Sequence, residues 1–184
     1  GESVPSHSSV VLRFACPIVP QDPVTAEMVQ SATPTLNRGV TVSDLLQVAE
    51  RYRSWGLSVF PVGGRKLPTV RWKARQKAVP TADQLAQMMA YVHRRNGPAM
   101  GLAVAHGQVS GGLACRDFDV ADAYHEWAER HPDTAASLPT VRTPRGYHVW
   151  FRCPVDSYHK DEVGEFRANR THRTHYSVLP PTVR

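Results

Sequence analysis

Apolar residues recur along this chain in two rhythms, one helical and one alternating. Leu45, Val48, Ala49 and Tyr52 fall at helical spacing behind Thr41 and Asp44, a pair set to form a capping box, and Gly56 stops the run. Leu85, Met88, Met89 and Val92 repeat that pattern behind Thr81 and Gln84, and the stretch closes at Arg94-Arg95-Asn96-Gly97. A third helix, over about 121–130, turns Tyr124 and Trp127 inward and is closed by His131-Pro132. Between the helices lie short apolar runs that read as strands, at 57–61, 100–105 and 113–116. The stretch 140–152 holds two further β-prone runs joined by a tight Pro/Gly turn and predicts a hairpin. Gly164-Glu165-Phe166-Arg167 and Tyr176-Ser177-Val178-Leu179 supply more strand. Helices mixed with hairpins, and no internal repeat, predict an α+β fold with a largely antiparallel sheet rather than a doubly wound parallel one.

Residues 1–39 break this order. They are rich in Ser, Pro and Val, with one β-prone run at Val10-Val11-Leu12-Arg13-Phe14, and read as an N-terminal arm, partly disordered or strap-like. The remainder, 40–184, reads as one domain large enough to bury its own core. The three cysteines, Cys16, Cys115 and Cys153, are widely spaced and form no C-x-x-C pair, which disfavours a zinc site and suits reduced thiols in a cytosolic protein. A formal charge of +6 favours a polyanionic partner. No run approaches a membrane span, so a soluble, cytoplasmic protein is expected.

The candidate chemistry begins at Asp117-Phe118-Asp119. In an extended chain the two acids share a face, roughly 7 Å apart, with Phe118 on the other. Such a forked carboxylate suits Mg²⁺ or Mn²⁺. Arg116, just before it, either salt-bridges or lines the site. His148 shares a strand face with Trp150 and Arg152 and follows a basic glycine turn, where amides can hold phosphate oxygens. Glu165 offers a third acid on another strand. Gly63-Gly64-Arg65-Lys66 lacks the spacing of a phosphate-binding P-loop. Basic residues gather at Arg65, Lys66, Arg71, Lys73, Arg75 and Lys77, the last four alternating along one side of an extended segment, and at Arg167, Arg170, His172, Arg173 and His175. Trp72 or Tyr176 is placed to stack on a base.

In sum of order, Trp55-Gly56-Leu57-Ser58-Val59-Phe60-Pro61-Val62, Lys66-Leu67-Pro68, Gly101-Leu102-Ala103-Val104-Ala105, Asp117-Phe118-Asp119, Thr143-Pro144-Arg145-Gly146-Tyr147-His148 and Glu165 through Leu179-Pro180-Pro181 resemble one family. It is the primase-polymerase (prim-pol) domain of phages and plasmids, in the archaeo-eukaryotic primase superfamily, and the resemblance spans about 41–182. It implies a primase-polymerase-like fold with an RRM-like, largely antiparallel catalytic sheet packed by helices. It implies a template-dependent DNA primase/polymerase that joins nucleoside triphosphates on single-stranded DNA by two-metal nucleotidyl transfer. Asp117, Asp119 and Glu165 would then hold two Mg²⁺ or Mn²⁺ ions, with no zinc. His148 would act on the triphosphate, aided by Arg145, the amide of Gly146, Thr143, Lys66 and Arg167. Arg71, Lys73, Arg75, Arg170 and Arg173 would meet nucleic acid. Partners would be template, primer, NTP or dNTP, and a helicase domain or protein. Glu165 stands where many relatives have Asp. Two other readings remain open: a non-catalytic single-strand or origin-binding module, and a metal-dependent nuclease using the same acids.

Overall fold

The computed structural model describes residues 41–63, 66–96, 101–154, 157–168 and 175–182; the arm, Val10–Phe14 included, and Arg65, Arg170, His172 and Arg173 lie outside them. Helix α1 (Val42–Ser54) starts as its sequence requires. Thr41 Oγ1 accepts from the Asp44 amide at 3.1 Å and Asp44 Oδ2 accepts from the Thr41 amide at 2.9 Å. The helix α2 (Ala82–Asn96) repeats the device with Thr81 and Gln84. Leu45, Ala49 and Tyr52 of the first helix and Leu85, Met89 and Val92 of the second are buried together.

These helices pack on a three-stranded antiparallel sheet with β1 (Val59–Val62), β2 (Gly101–Ala105) and the C-terminal β8 (Tyr176–Leu179) in the order β1-β2-β8. The second sheet is also antiparallel, five strands in the order β4-β5-β3-β7-β6. Its members are β3 (Leu113–Phe118), β4 (Thr140–Arg142), β5 (Tyr147–Arg152), β6 (Tyr158–Asp161) and β7 (Gly164–Arg167). The principal core joins the two, with Leu102, Val104 and Leu179 of the small sheet meeting Leu113, Cys115 and Trp150 of the large one. The fold is therefore α+β with antiparallel sheets, as expected for a primase-polymerase-like domain. Both described cysteines, Cys115 and Cys153, are buried free thiols. No helix among the described residues is long and apolar enough to cross a membrane.

The structure departs from the sequence reading in four places. Helix α3 (Ala121–Arg130) forms where expected, but Tyr124 and Trp127 are only half-buried, meeting Phe118 edge-on and at a tilt rather than entering a core. Pro132 ends that helix and opens another, α4 (Pro132–Ser137), because a proline fits the first helical turn, where its missing N–H has no partner to lose. Strand β6 had no apolar alternation to announce it; its residues Tyr-His-Lys-Asp lie at a sheet edge, where polar side chains are tolerated. Finally, residues 72–76 form a 3₁₀ turn instead of an extended row, so Arg75 is buried while Lys73 stays exposed.

Candidate active site

The centre of the large sheet brings the predicted acids into register. On β3, Asp117 pairs directly with His148 of β5 on one side and with Glu165 of β7 on the other. His148, Asp117 and Glu165 therefore form a row across three adjacent strands, and directly opposed side chains on neighbouring strands are within contact range. His148 Nε2 lies 3.3 Å from Asp117 Oδ1. Asp119 sits one residue past the strand end, where its amide donates to the Val163 carbonyl at 2.8 Å and its carboxylate pairs with Arg145 at 2.6 Å.

Two glycines let the neighbouring strands approach this end so closely. Gly164 has φ +152°, and a Cβ there would run into the Asp117 carbonyl; one on Gly146 would run into the Phe118 carbonyl. Any side chain at either position would push a flanking strand away from the acids.

Arg167 organises the row. Its guanidinium bonds Asp117 Oδ2 at 2.8 Å, Glu165 Oε2 at 2.7 Å and Ser177 Oγ at 3.1 Å. Lys160, opposite Glu165 on β6, reaches Glu165 Oε1 at 3.3 Å. Burial pushes the Asp117 carboxyl up, but the His148 hydrogen bond and charge, Arg167 and Lys66 outweigh it and hold the carboxyl below its ordinary range. Glu165 follows the same logic, with burial overcome by Arg167 and then Lys160. Arg167 itself is held above its ordinary value, because the two carboxylates outweigh its burial.

Ser177 and His106 were not apparent as site residues from the sequence. His106 is fully buried, stacks on Trp150 and lies 2.9 Å from Ser177 Oγ through Nε2. Burial, followed by the Arg167 charge, drives its pKa down to about 3, so the ring is neutral. Arg167 donates to Ser177, so the serine hydroxyl is free to donate onward to His106. The only hint in the sequence was a polar residue, Ser177, between strand residues of β8.

The other expected residues are distributed as follows. Thr143 and Gly146 close the β4–β5 turn on each other: the Gly146 amide donates to Thr143 Oγ1 at 3.0 Å and the Thr143 amide to the Gly146 carbonyl at 2.8 Å. The Gly146 amide is thus committed within the turn rather than offered to a ligand. Lys66 adopts φ +59°, and its charge is the smallest of those that hold the Asp117 carboxyl down. Arg116 points to the opposite face and pairs with Asp161 at 2.7 Å, above the Phe118 ring, which resolves its two possible roles in favour of the salt bridge. Trp72 stacks on Phe60 and packs edge-on to Tyr176, so the two rings sit in one aromatic cluster with Phe60. His175 stacks on Tyr158 at 4.3 Å.

Among the described residues, no three His, Cys, Asp or Glu side chains converge as a ready-made metal cage. The donor chemistry nevertheless fits a hard divalent ion: Asp117 and Glu165 are adjacent carboxylates and Asp119 follows at the strand end. In this structure cationic side chains neutralise all three.

Carboxylates ringed by Arg, Lys and His at the end of an antiparallel sheet define a site suited to phosphate chemistry. The family model described as bifunctional DNA primase/polymerase, N-terminal, matches residues 49–184, and the chain belongs to that family. No curated protein matches it. Membership implies a nucleotidyltransferase-type enzyme with DNA primase/polymerase activity, acting on DNA and nucleotides.

Proposed function

We propose that the chain is a template-dependent primase/polymerase that extends a strand on single-stranded DNA in phage or plasmid replication, alongside a helicase. The observation that carries this reading is the His148–Asp117–Glu165 row across three strands of the family-matched domain. Asp117, Asp119 and Glu165 would hold two Mg²⁺ or Mn²⁺ ions, whose chemistry is to activate a primer 3′-hydroxyl and neutralise the leaving pyrophosphate.

The chain's own residues supply the rest. His148, whose Nε2 lies 3.3 Å from Asp117 Oδ1, would donate to a triphosphate oxygen. Arg145 is mostly exposed beside Asp119 and can exchange that carboxylate for a phosphate, since a guanidinium matches either. Arg167 holds Asp117 and Glu165 in register, and Lys66 adds positive charge from the opposite connection. Catalysis of this kind rests on positioning and electrostatics, and no side-chain nucleophile is needed.

Incubating the full chain with a primed single-stranded template, Mn²⁺ and labelled triphosphates tests the reading. A ladder of extended products is expected. Shortened template or primer would favour the nuclease, and binding without either product would favour the non-catalytic module.

A further inference from the structure

A cleft of about 900 Å³ lies between residues 68–75 and helix α2, and none of the acids of the row lines it. Its walls include Thr69, Arg71, Arg75, Gln84 and Tyr91. Arg75 is the unusual member, because it is only 9% exposed and yet pairs with no described carboxylate. Its guanidinium donates to Gln84 Oε1 at 3.1 Å, and that oxygen also accepts the Thr81 amide. A guanidinium carries five N–H donors, so most of its capacity is directed elsewhere. Burying a charge without a counter-charge is costly, and natural proteins do it where an anion completes the site.

Three features say which anion. Arg71 lines the same cleft from an exposed position and adds a second cation. Gln84 belongs to the first turn of the 15-residue α2, whose N-terminal end favours negative charge. The connection that lines the cleft begins at Lys66, whose charge reaches Asp117, so one continuous segment runs from the acid row to Arg75. The ring of Tyr91, 44% exposed on the cleft wall, offers a surface for a base.

We propose that this cleft seats one phosphodiester of single-stranded DNA, with the phosphate between Arg71 and Arg75 and the attached base against Tyr91. The inference rests on the DNA substrate of the proposed function and extends it to a named strand-binding site. The shared chemistry is a phosphate group, which a strand or a free nucleotide could bring, and the test separates the two.

Fluorescence anisotropy of labelled oligo(dT), without metal or triphosphate, is measured across a salt series for wild type, Arg71→Ala, Arg75→Met and Gln84→Glu, with Arg130→Ala on α3 as control. Losing that one phosphate contact flattens the slope of log affinity against log salt by up to about 0.7 and weakens binding by up to about fivefold near 0.1 M salt. That result is expected for Arg71→Ala and Arg75→Met and not for the control. Gln84→Glu keeps the capping box but hands Arg75 a carboxylate, so binding should fall while the melting temperature rises. Arg75→Met should melt no lower than wild type, because it removes an uncompensated charge at similar volume.

A melting temperature several degrees lower for Arg75→Met, with an unchanged salt slope in all variants, would mean that Arg75 is a structural residue and overturns the inference. An unchanged strand affinity with a raised triphosphate KM in Arg71→Ala assigns the anion to the free nucleotide and also overturns it. If wild type extends no primer but binding still depends on Arg71 and Arg75, the polymerase reading fails and the strand site stands. If extension is intact and the variants bind like wild type at every salt concentration, the strand site alone fails.

Discussion

Each face of β3 meets an arginine, Arg116 buried and Arg167 half-buried, and the two are used differently. On one face Arg116 meets a single carboxylate, Asp161, with the Phe118 ring beneath the guanidinium. That pair closes on itself. On the other face Arg167 is shared between Asp117 and Glu165 and braced by Ser177 and the neutral His106 behind it. A guanidinium shared between two carboxylates leaves each of them only partly neutralised by it, whereas a one-to-one pair is closed. Successive residues of one strand thus carry a structural ion pair and a candidate catalytic centre, and alternation keeps them apart.

The largest test of that contrast is Asp117→Asn, which keeps volume and removes the charge. Primer extension should fall at least 10²-fold, on the order of 3 kcal/mol or more in transition-state stabilisation, while the melting temperature falls only modestly because Arg167 keeps Glu165 as a counter-charge. Retained extension would remove Asp117 from the chemistry.

Next in size is a pH effect from behind the site. His106 has a folded pKa of about 3, well below the ordinary histidine value of about 6.5, so the unfolded chain takes up a proton that the folded one refuses. The sign follows directly: stability is lost as pH falls from about 6.5 towards 3, by up to about 1.4 kcal/mol per pH unit. Asp117 and Glu165 act in a lower window, because their depressed pKa values add stability that is present above about pH 4 and lost on further acidification. Denaturant unfolding at pH 6.5, 5.5 and 4.5 should show the steep decline in wild type and a flatter one in His106→Gln. Equal slopes would mean that His106 is solvated.

Asp161→Asn probes the closed face. It leaves the Arg116 guanidinium without its counter-charge, and should cost about 2 kcal/mol, or about 4–8 °C in melting temperature, while extension stays within about twofold of wild type. A loss of activity matching Asp117→Asn would erase the distinction between the faces. The smallest effect is expected from Ser177→Ala, which removes one hydroxyl from between Arg167 and His106 and should cost about 1 kcal/mol, with extension slowed less than tenfold. Extension rates paired with thermal melts read both quantities.

Much of this molecule was legible from local chemistry. The capping boxes at Thr41 and Thr81 announce α1 and α2, because each satisfies helix-end amides within three residues. Alternation alone places Asp117 and Asp119 apart from Phe118, and the turn residues before Tyr147 announce the hairpin that carries His148. What the chain could not reveal locally is register across distant strands. Glu165 faces Asp117 because β7 pairs with β3 in one alignment, and a slip of one residue would have turned it to the Arg116 face. That alignment depends on Gly146 and Gly164, whose missing side chains matter only once the neighbouring backbone has arrived. Arg75 shows the same limit, since an extended row and a 3₁₀ turn share one pattern of basic residues and packing of Trp72 on Phe60 selects the turn. Capping and alternation are settled by bonds a few residues long, so the sequence by itself determines them; partners such as Arg167, Ser177 and His106 meet only when separate strands pack, so tertiary structure decides them.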